Sequence, residues 1–273
     1  MVYSILLDLF KKKNRAETNE EKAHQENKQL AKCIVANIID HPKTVIGLGS
    51  GASIAFIVGK LVREAAKLEK NEIQFVCTEQ WMVAALCKHG IRAYKPEHSY
   101  KIPSLDFFLE SINFICTIQE FKNPLYIKSG RASELRSALM KKAKSVYFVR
   151  SGMEVRKDEL CGIPVEAQNN STGFNLYKSL NEKKGGVVGL TSNIHVKSES
   201  IFMEWVPPSD WRDNDLFHPN KSGNTLMKEI NKLKGVKSHN LFASFKCEFI
   251  ETVDDLDQMF KKLNNNSERP VFV

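Results

Sequence analysis

The stretch with most chemical promise is Gly49-Ser50-Gly51-Ala52-Ser53, which follows the short apolar run Thr44-Val45-Ile46-Gly47-Leu48. Two glycines around a serine allow a tight turn whose backbone N–H groups, at a helix start, could cradle a phosphate or a carboxylate. A dinucleotide-binding turn needs a third glycine, and Ile54 stands at that position. The same turn would serve equally as a close strand-to-helix connection that binds nothing. His89, His98 and His195 are scattered, with no nucleophile or acid at a suggestive spacing, and read as surface or core side chains. Trp81, Trp205 and Trp211 read as packing residues. The six cysteines form no C-x-x-C pair and no Cys/His set with zinc spacing, so no metal is implied. Cys116 ends an apolar strand, where α/β sheets bind ligands. Its neighbours Phe114 and Ile115 favour an inert buried thiol.

A strand must end at the glycine turn and a helix must begin there. Leu30, Ile34, Val35, Ile38 and Ile39 recur at helical spacing and predict a helix across 26–39, broken at His41-Pro42. The run 44–48 suits a buried parallel strand, and 54–68 suits a helix. A second strand at 73–77, a helix through Trp81 and Leu86, a stop at Gly90 and a strand at 91–94 follow. Short apolar strands are expected at 114–117 and 146–149. This alternation predicts an α/β fold with a mainly parallel sheet. Beyond about Pro164 the rhythm changes: strands at 186–190, 201–205, 241–245 and 248–250 surround a helix carrying Leu226, Ile230 and Leu233. That pattern predicts a small α+β subdomain. Residues 1–27, strongly charged from 11 onward, read as a mobile lead-in, and 264–267 as a loose polar tail.

With 273 residues, 42% of them hydrophobic, the chain can bury a substantial core. Its net charge is +8, but the basic residues lie in short clusters such as Lys11–Lys13, Lys141-Lys142 and Lys183-Lys184. They build no arginine-rich stripe or nucleic-acid module, so a solvated basic surface is the expectation. The apolar start, 2–10, is interrupted by Asp8, lacks a cleavage site and is too short to span a membrane. Free cysteines and the absence of a membrane segment place the chain in the cytoplasm.

Val45 to Ser53 resembles the signature turn of type A ribose-5-phosphate isomerases, roughly V-x-G-[IV]-G-[ST]-G-S-T. Further segments follow that family in order. Lys28-Gln29-Leu30-Ala31 resembles its opening helix, and Phe114–Phe121 stands where it has a D-G-A-D-E strand end. Ile127-Lys128-Ser129-Gly130-Arg131 stands at its I-K-G-G-G, and Gly162-Ile163-Pro164-Val165-Glu166 matches its [GP]-[IL]-P-[IV]-E. Gly185-Gly186, Lys234-Gly235-Val236 and Leu241-Phe242 match later landmarks, so the similarity covers about 28–252 and is to the eukaryotic branch. The resemblance implies a Rossmann-like domain (28–163 with 246–273) and a ferredoxin-like subdomain (164–245). It implies interconversion of ribose 5-phosphate and ribulose 5-phosphate in the pentose phosphate pathway, through an enediolate and without metal or cofactor. Homo-oligomers, or a hetero-oligomer with an isomerase paralogue, are implied as well.

Residue by residue, the resemblance places Gly49, Ser50, Gly51, Ala52, Ser53, Gln119, Lys128, Ser129 and Gly130 around a sugar phosphate. Its D-G-A-D-E reads Cys116-Thr117-Ile118-Gln119-Glu120, which keeps only the last acid. Its general-base glutamate falls on Ser137, and its A-D-x-x-K site reads Arg150-Ser151-Gly152-Met153. A serine cannot accept a proton as a carboxylate does near neutral pH. General-base catalysis is typically worth about 10²–10⁴-fold. Lys128, Glu120 and Glu134 remain as candidate catalytic groups, Glu134 because it lies one helical turn before Ser137. Turnover is expected to be weak or lost; a non-catalytic paralogue is the alternative.

Overall fold

A computed structural model describes residues 19–97, 101–117, 125–128, 133–157, 162–167, 170–180, 187–190, 202–206, 223–243 and 247–250. Two sheets organise them. The larger has eight strands, of which six run parallel in the order β3-β2-β1-β4-β6-β12. These are β1 (Val45–Leu48), β2 (Gln74–Cys77), β3 (Arg92–Tyr94), β4 (Leu105–Thr117), β6 (Ala143–Lys157) and β12 (Cys247–Ile250). Strand order reverses between β1 and β4, which in open α/β sheets leaves a crevice at the carboxyl ends of the strands. The glycine turn leaves β1 into that crevice.

β4 determines the geometry there. It spans 13 residues and pairs with β6 along one edge from Leu105 to Thr117. On its other edge, Phe107–Leu109 pair with β1, and then 114–116 pair antiparallel with β5 (Leu125–Ile127). Residues 110–113 lie between those two pairings, beside the turn. β11 (Leu241–Phe242) adds antiparallel to β5.

The smaller sheet is antiparallel, in the order β10-β7-β9-β8. Its strands are β7 (Ile163–Ala167), β8 (Val187–Leu190), β9 (Phe202–Val206) and β10 (Val236–His239). With helices Asn170–Lys178 and Gly223–Lys232 interposed, the chain order is βαββαβ, a ferredoxin-like subdomain. The α/β class, with its Rossmann-like parallel sheet, is therefore as the sequence patterns predict.

Apolar periodicity explains the layers. Ile34, Ile38, Ile54, Ile57 and Leu61 from helices α1 (Asn19–Ile39) and α2 (Ala52–Arg63) pack with Phe75 and Phe107 on one face of the large sheet. Leu139, Phe148, Tyr126 and Phe242 fill another cluster, with Phe148 between the two other rings at centroid distances of 4.5 and 5.7 Å. A third cluster joins the sheets: Cys116, Leu125 and Ile127 pack with Trp205, Leu176, Leu226 and Ile230.

Some expectations change. α1 starts at Asn19, inside the stretch read as a mobile lead-in. β4 begins at Leu105, well before the strand expected at 114–117, because β6 offers it a full-length parallel edge. Trp81 is 48% exposed rather than packed, whereas Trp205 is buried. Trp211, His98, His195, Cys161 and the tail at 264–267 lie outside the described residues.

Candidate functional site

β1 enters the core with Ile46 and Leu48 fully buried, and its pairing continues one step into the turn, where Gly49 N–H donates to the Leu109 carbonyl at 2.7 Å. That bond brings the next residue of β4, Glu110, against the turn. Glu110 Oε1 accepts the N–H groups of Ser50 (2.9 Å) and Ser111 (3.0 Å). The two turn glycines are required by this approach. A Cβ at Gly49 would collide with the Glu110 carboxylate. Gly51 has φ 114, which side chains rarely adopt, and a Cβ there would lie 2.7 Å from Ser111 Oγ.

Two cations close around the carboxylate. Lys128, directly after β5, is anchored by its own N–H to the Asn240 carbonyl (3.2 Å). Its Nζ contacts Glu110 Oε1 (3.0 Å) and donates to the Ser50 (2.6 Å) and Ser111 (2.9 Å) carbonyls, which matches the three protons of an ammonium. Arg136 comes from helix α5 (Glu134–Lys142), whose N-cap Ser133 accepts the Arg136 N–H. Arg136 Nε lies 2.7 Å from Glu110 Oε2, an ion pair whose N–H is not aligned as a hydrogen bond. Its Nη1 donates to Asn240 Oδ1 (2.7 Å) and its Nη2 to Ser50 Oγ (3.0 Å).

The cluster is dry. Glu110 and Asn240 are 0% exposed, Arg136 4% and Lys128 5%. Burial pushes the Lys128 ammonium below its ordinary pKa, against the pull of Glu110 and with the push of Arg136. The turn, Lys128 and Arg136 thus form a cationic cradle, and the anion in it is the chain's own Glu110. Among the described residues no group of three or more His, Cys, Asp or Glu could hold a metal ion.

Of the residues singled out in the sequence, Gly49, Ser50, Gly51 and Lys128 meet here. Ser53 is buried at the start of α2, and its hydroxyl donates to Asn27 Oδ1 of α1 at 2.7 Å. Ala52 is exposed. Glu134 is exposed in the first turn of α5, and Ser137 is half-buried one turn on. Gln119, Glu120, Ser129, Gly130 and Arg131 lie outside the described residues.

The resemblance sets the D-G-A-D-E segment at Cys116–Glu120, of which 118–120 lie outside the described residues, and a different run of β4 stands beside the turn. Leu48 pairs with Leu109, so Glu110-Ser111-Ile112-Asn113-Phe114 is the run beside the turn. Cys116 pairs instead with Leu125 and is buried against the smaller sheet. Glu110, Arg136 and Asn240 were not found from sequence. One signal was available: Glu110 is an acid inside the apolar run 107–116, and a charge so placed is buried only when paired.

No family model matches the chain, and no curated protein matches it in sequence. Solved structures do match. Ribose 5-phosphate isomerase A from Neisseria gonorrhoeae superposes with TM-score 0.61 at 16% identity, over 83% of this chain and 89% of that one. Ribose 5-phosphate isomerase A from Methanocaldococcus jannaschii gives 0.61 at 17%, over 81% and 92%. A D-ribose-5-phosphate isomerase in complex with phospho-erythronic acid gives 0.62 at 15%, over 84% and 96%. The chain has the fold of the type A ribose-5-phosphate isomerase structures.

Proposed function

We propose that this chain is a divergent member of the type A ribose-5-phosphate isomerase family, of its eukaryotic branch, whose pentose-phosphate turnover is weak or lost. The fold likeness and the ordered motifs support the lineage. The observation that carries the loss is Glu110: the acid at the glycine turn has both oxygens against buried cations and no exposed surface. A general base must come within hydrogen-bond reach of the carbon-bound proton it removes. Among the described residues, Glu110 has no open approach, Ser137 is not a base, and Glu134 is solvent-exposed.

The alternative is a non-catalytic paralogue that binds a sugar phosphate or assembles with an active isomerase; the self-paired Glu110 is compatible with its lack of turnover. In either reading the chain carries a Rossmann-like domain, to which β11 returns, and the smaller subdomain, and it acts in the cytoplasm. The test is conversion of ribose 5-phosphate to ribulose 5-phosphate by purified protein, with Glu134→Gln alongside. Turnover at least about 10²-fold below an active family member is expected, the scale of a missing general base. Full turnover, abolished in Glu134→Gln, would show a relocated base and overturn the reading.

A further inference from the structure

Four donors around the glycine turn and β4 face one carboxylate oxygen or the other, and that carboxylate is the chain's own. Ser50 N–H, Ser111 N–H and Lys128 Nζ converge on Glu110 Oε1, and Arg136 Nε sits against Oε2. Turn N–H groups at a helix start together with buried cations are the arrangement that takes up phosphate or carboxylate groups. Here the helix is α2, of 12 residues, and both cations are more than nine-tenths buried. The other polar atoms of Ser50 are engaged as well. The Ser50 carbonyl accepts from Lys128, and the Ser50 hydroxyl accepts from Arg136.

We infer that Glu110 is a built-in ligand: its carboxylate occupies an anion site at the glycine turn, closing that site to external anions in the wild-type chain and leaving a small-carboxylate site when it is removed. Glu110 reaches the cradle from β4 through its own short side chain, so it competes at an effective concentration no millimolar solute matches. Loss of the side chain beyond Cβ would free a volume close to that of acetate or formate. The donors would stay in place, because Asn240 holds Arg136 and the β5 end holds Lys128. Phosphate, a tetrahedral ion bulkier than the planar carboxylate that vacates the space, should bind less well there than a carboxylate.

This deepens the proposed reading, since a self-filled cradle explains why the fold would lose turnover. The two can fail separately: anion binding reads the cradle, whereas isomerisation reads proton transfer. The experiment titrates sodium acetate, sodium formate and inorganic phosphate into wild type and Glu110→Ala, with sodium chloride at equal ionic strength as control. In wild type, the backbone amide resonances of Ser50 and Ser111 should not move beyond the chloride control. In Glu110→Ala, acetate and formate should raise the melting temperature progressively, as a ligand bound only to the native state does. Movement of the Ser50 and Ser111 amides in wild type would overturn the inference. So would a folded Glu110→Ala that acetate and formate stabilise no better than chloride. If Glu110→Ala does not fold, the wild-type amide titration decides alone.

Discussion

Glu110→Gln removes one negative charge and almost no volume, and it isolates what the carboxylate does. In the wild type two cations, 5% and 4% exposed, share that carboxylate at 3.0 and 2.7 Å. Removing one partner of a buried ion pair leaves uncompensated charge and costs about 3–5 kcal/mol. That is roughly a 10²–10⁴-fold fall in the folded-to-unfolded ratio. Arg136 cannot shed its proton. Lys128 can, and burial already lowers its pKa. Without Glu110 that pKa falls further, so across the alkaline range the unfolded variant binds more protons than the folded one. Its stability should therefore rise with pH more steeply than the wild type's. Urea unfolding at pH 7 and pH 9 measures both effects, with the denaturant slope expected to stay constant. Glu64→Gln is the control: Glu64 also meets two lysines, Lys60 at 2.7 Å and Lys67 at 2.8 Å, but on the surface. Its replacement should change stability little, because exposed pairs contribute little. A loss below about 1 kcal/mol for Glu110→Gln, equal to the control, would refute the reasoning.

Other perturbations test the surrounding parts. Gly49→Ala should lower the melting temperature and disturb the Glu110 pairing, because its Cβ would enter the carboxylate; an unchanged melting curve would contradict the packing. Asn240→Leu should cost about 1–3 kcal/mol in urea unfolding, since it removes the acceptor of Arg136 Nη1 and leaves a buried donor unsatisfied. His239 is buried, and its ring nitrogen accepts the Leu241 N–H, so its pKa is pushed from 6.5 down to about 4 by burial. The neutral ring is favoured in the folded state, so its contribution is complete above pH 6.5 and is lost as pH falls toward about 4. At 1.36 kcal/mol per unit, a shift of this size is worth roughly 3 kcal/mol. Unfolding free energies from pH 7 to pH 4 should show that loss, and His239→Gln should flatten it.

The glycine turn and the parallel sheet were legible because each is written locally, whereas Lys128 was singled out by the resemblance alone. An apolar run ending in Gly49-Ser50-Gly51 specifies a strand, a turn and a helix within about ten residues. The smaller sheet was legible only in part: its strands at 187–190 and 202–206 match the expectation, whereas those expected at 241–245 and 248–250 pair into the larger sheet, and β7 and β10 carry no strand signal that the reading used. Glu110 was not legible, because its role depends on strand register: only the pairing of Leu48 with Leu109 decides which residue of β4 stands beside the turn. The run 107–116 holds three polar residues, Glu110, Ser111 and Asn113, and the sequence alone does not say which of them faces the turn. Arg136 and Asn240 were hidden for another reason. They are 104 positions apart in the chain and meet only when the smaller subdomain's return to β11 brings Asn240 over α5.

Whether any group in this chain takes a proton from a pentose phosphate can be read directly. Incubation with ribose 5-phosphate in deuterium oxide, with the sugar's C2 proton followed by NMR, registers abstraction even when no net product forms. Loss of that signal no faster than in a protein-free control is the expected result. Rapid washout would contradict the account: abolished by Glu110→Gln, it would mean that Glu110 is not closed off, and abolished by Glu134→Gln, that the exposed carboxylate reaches the carbon.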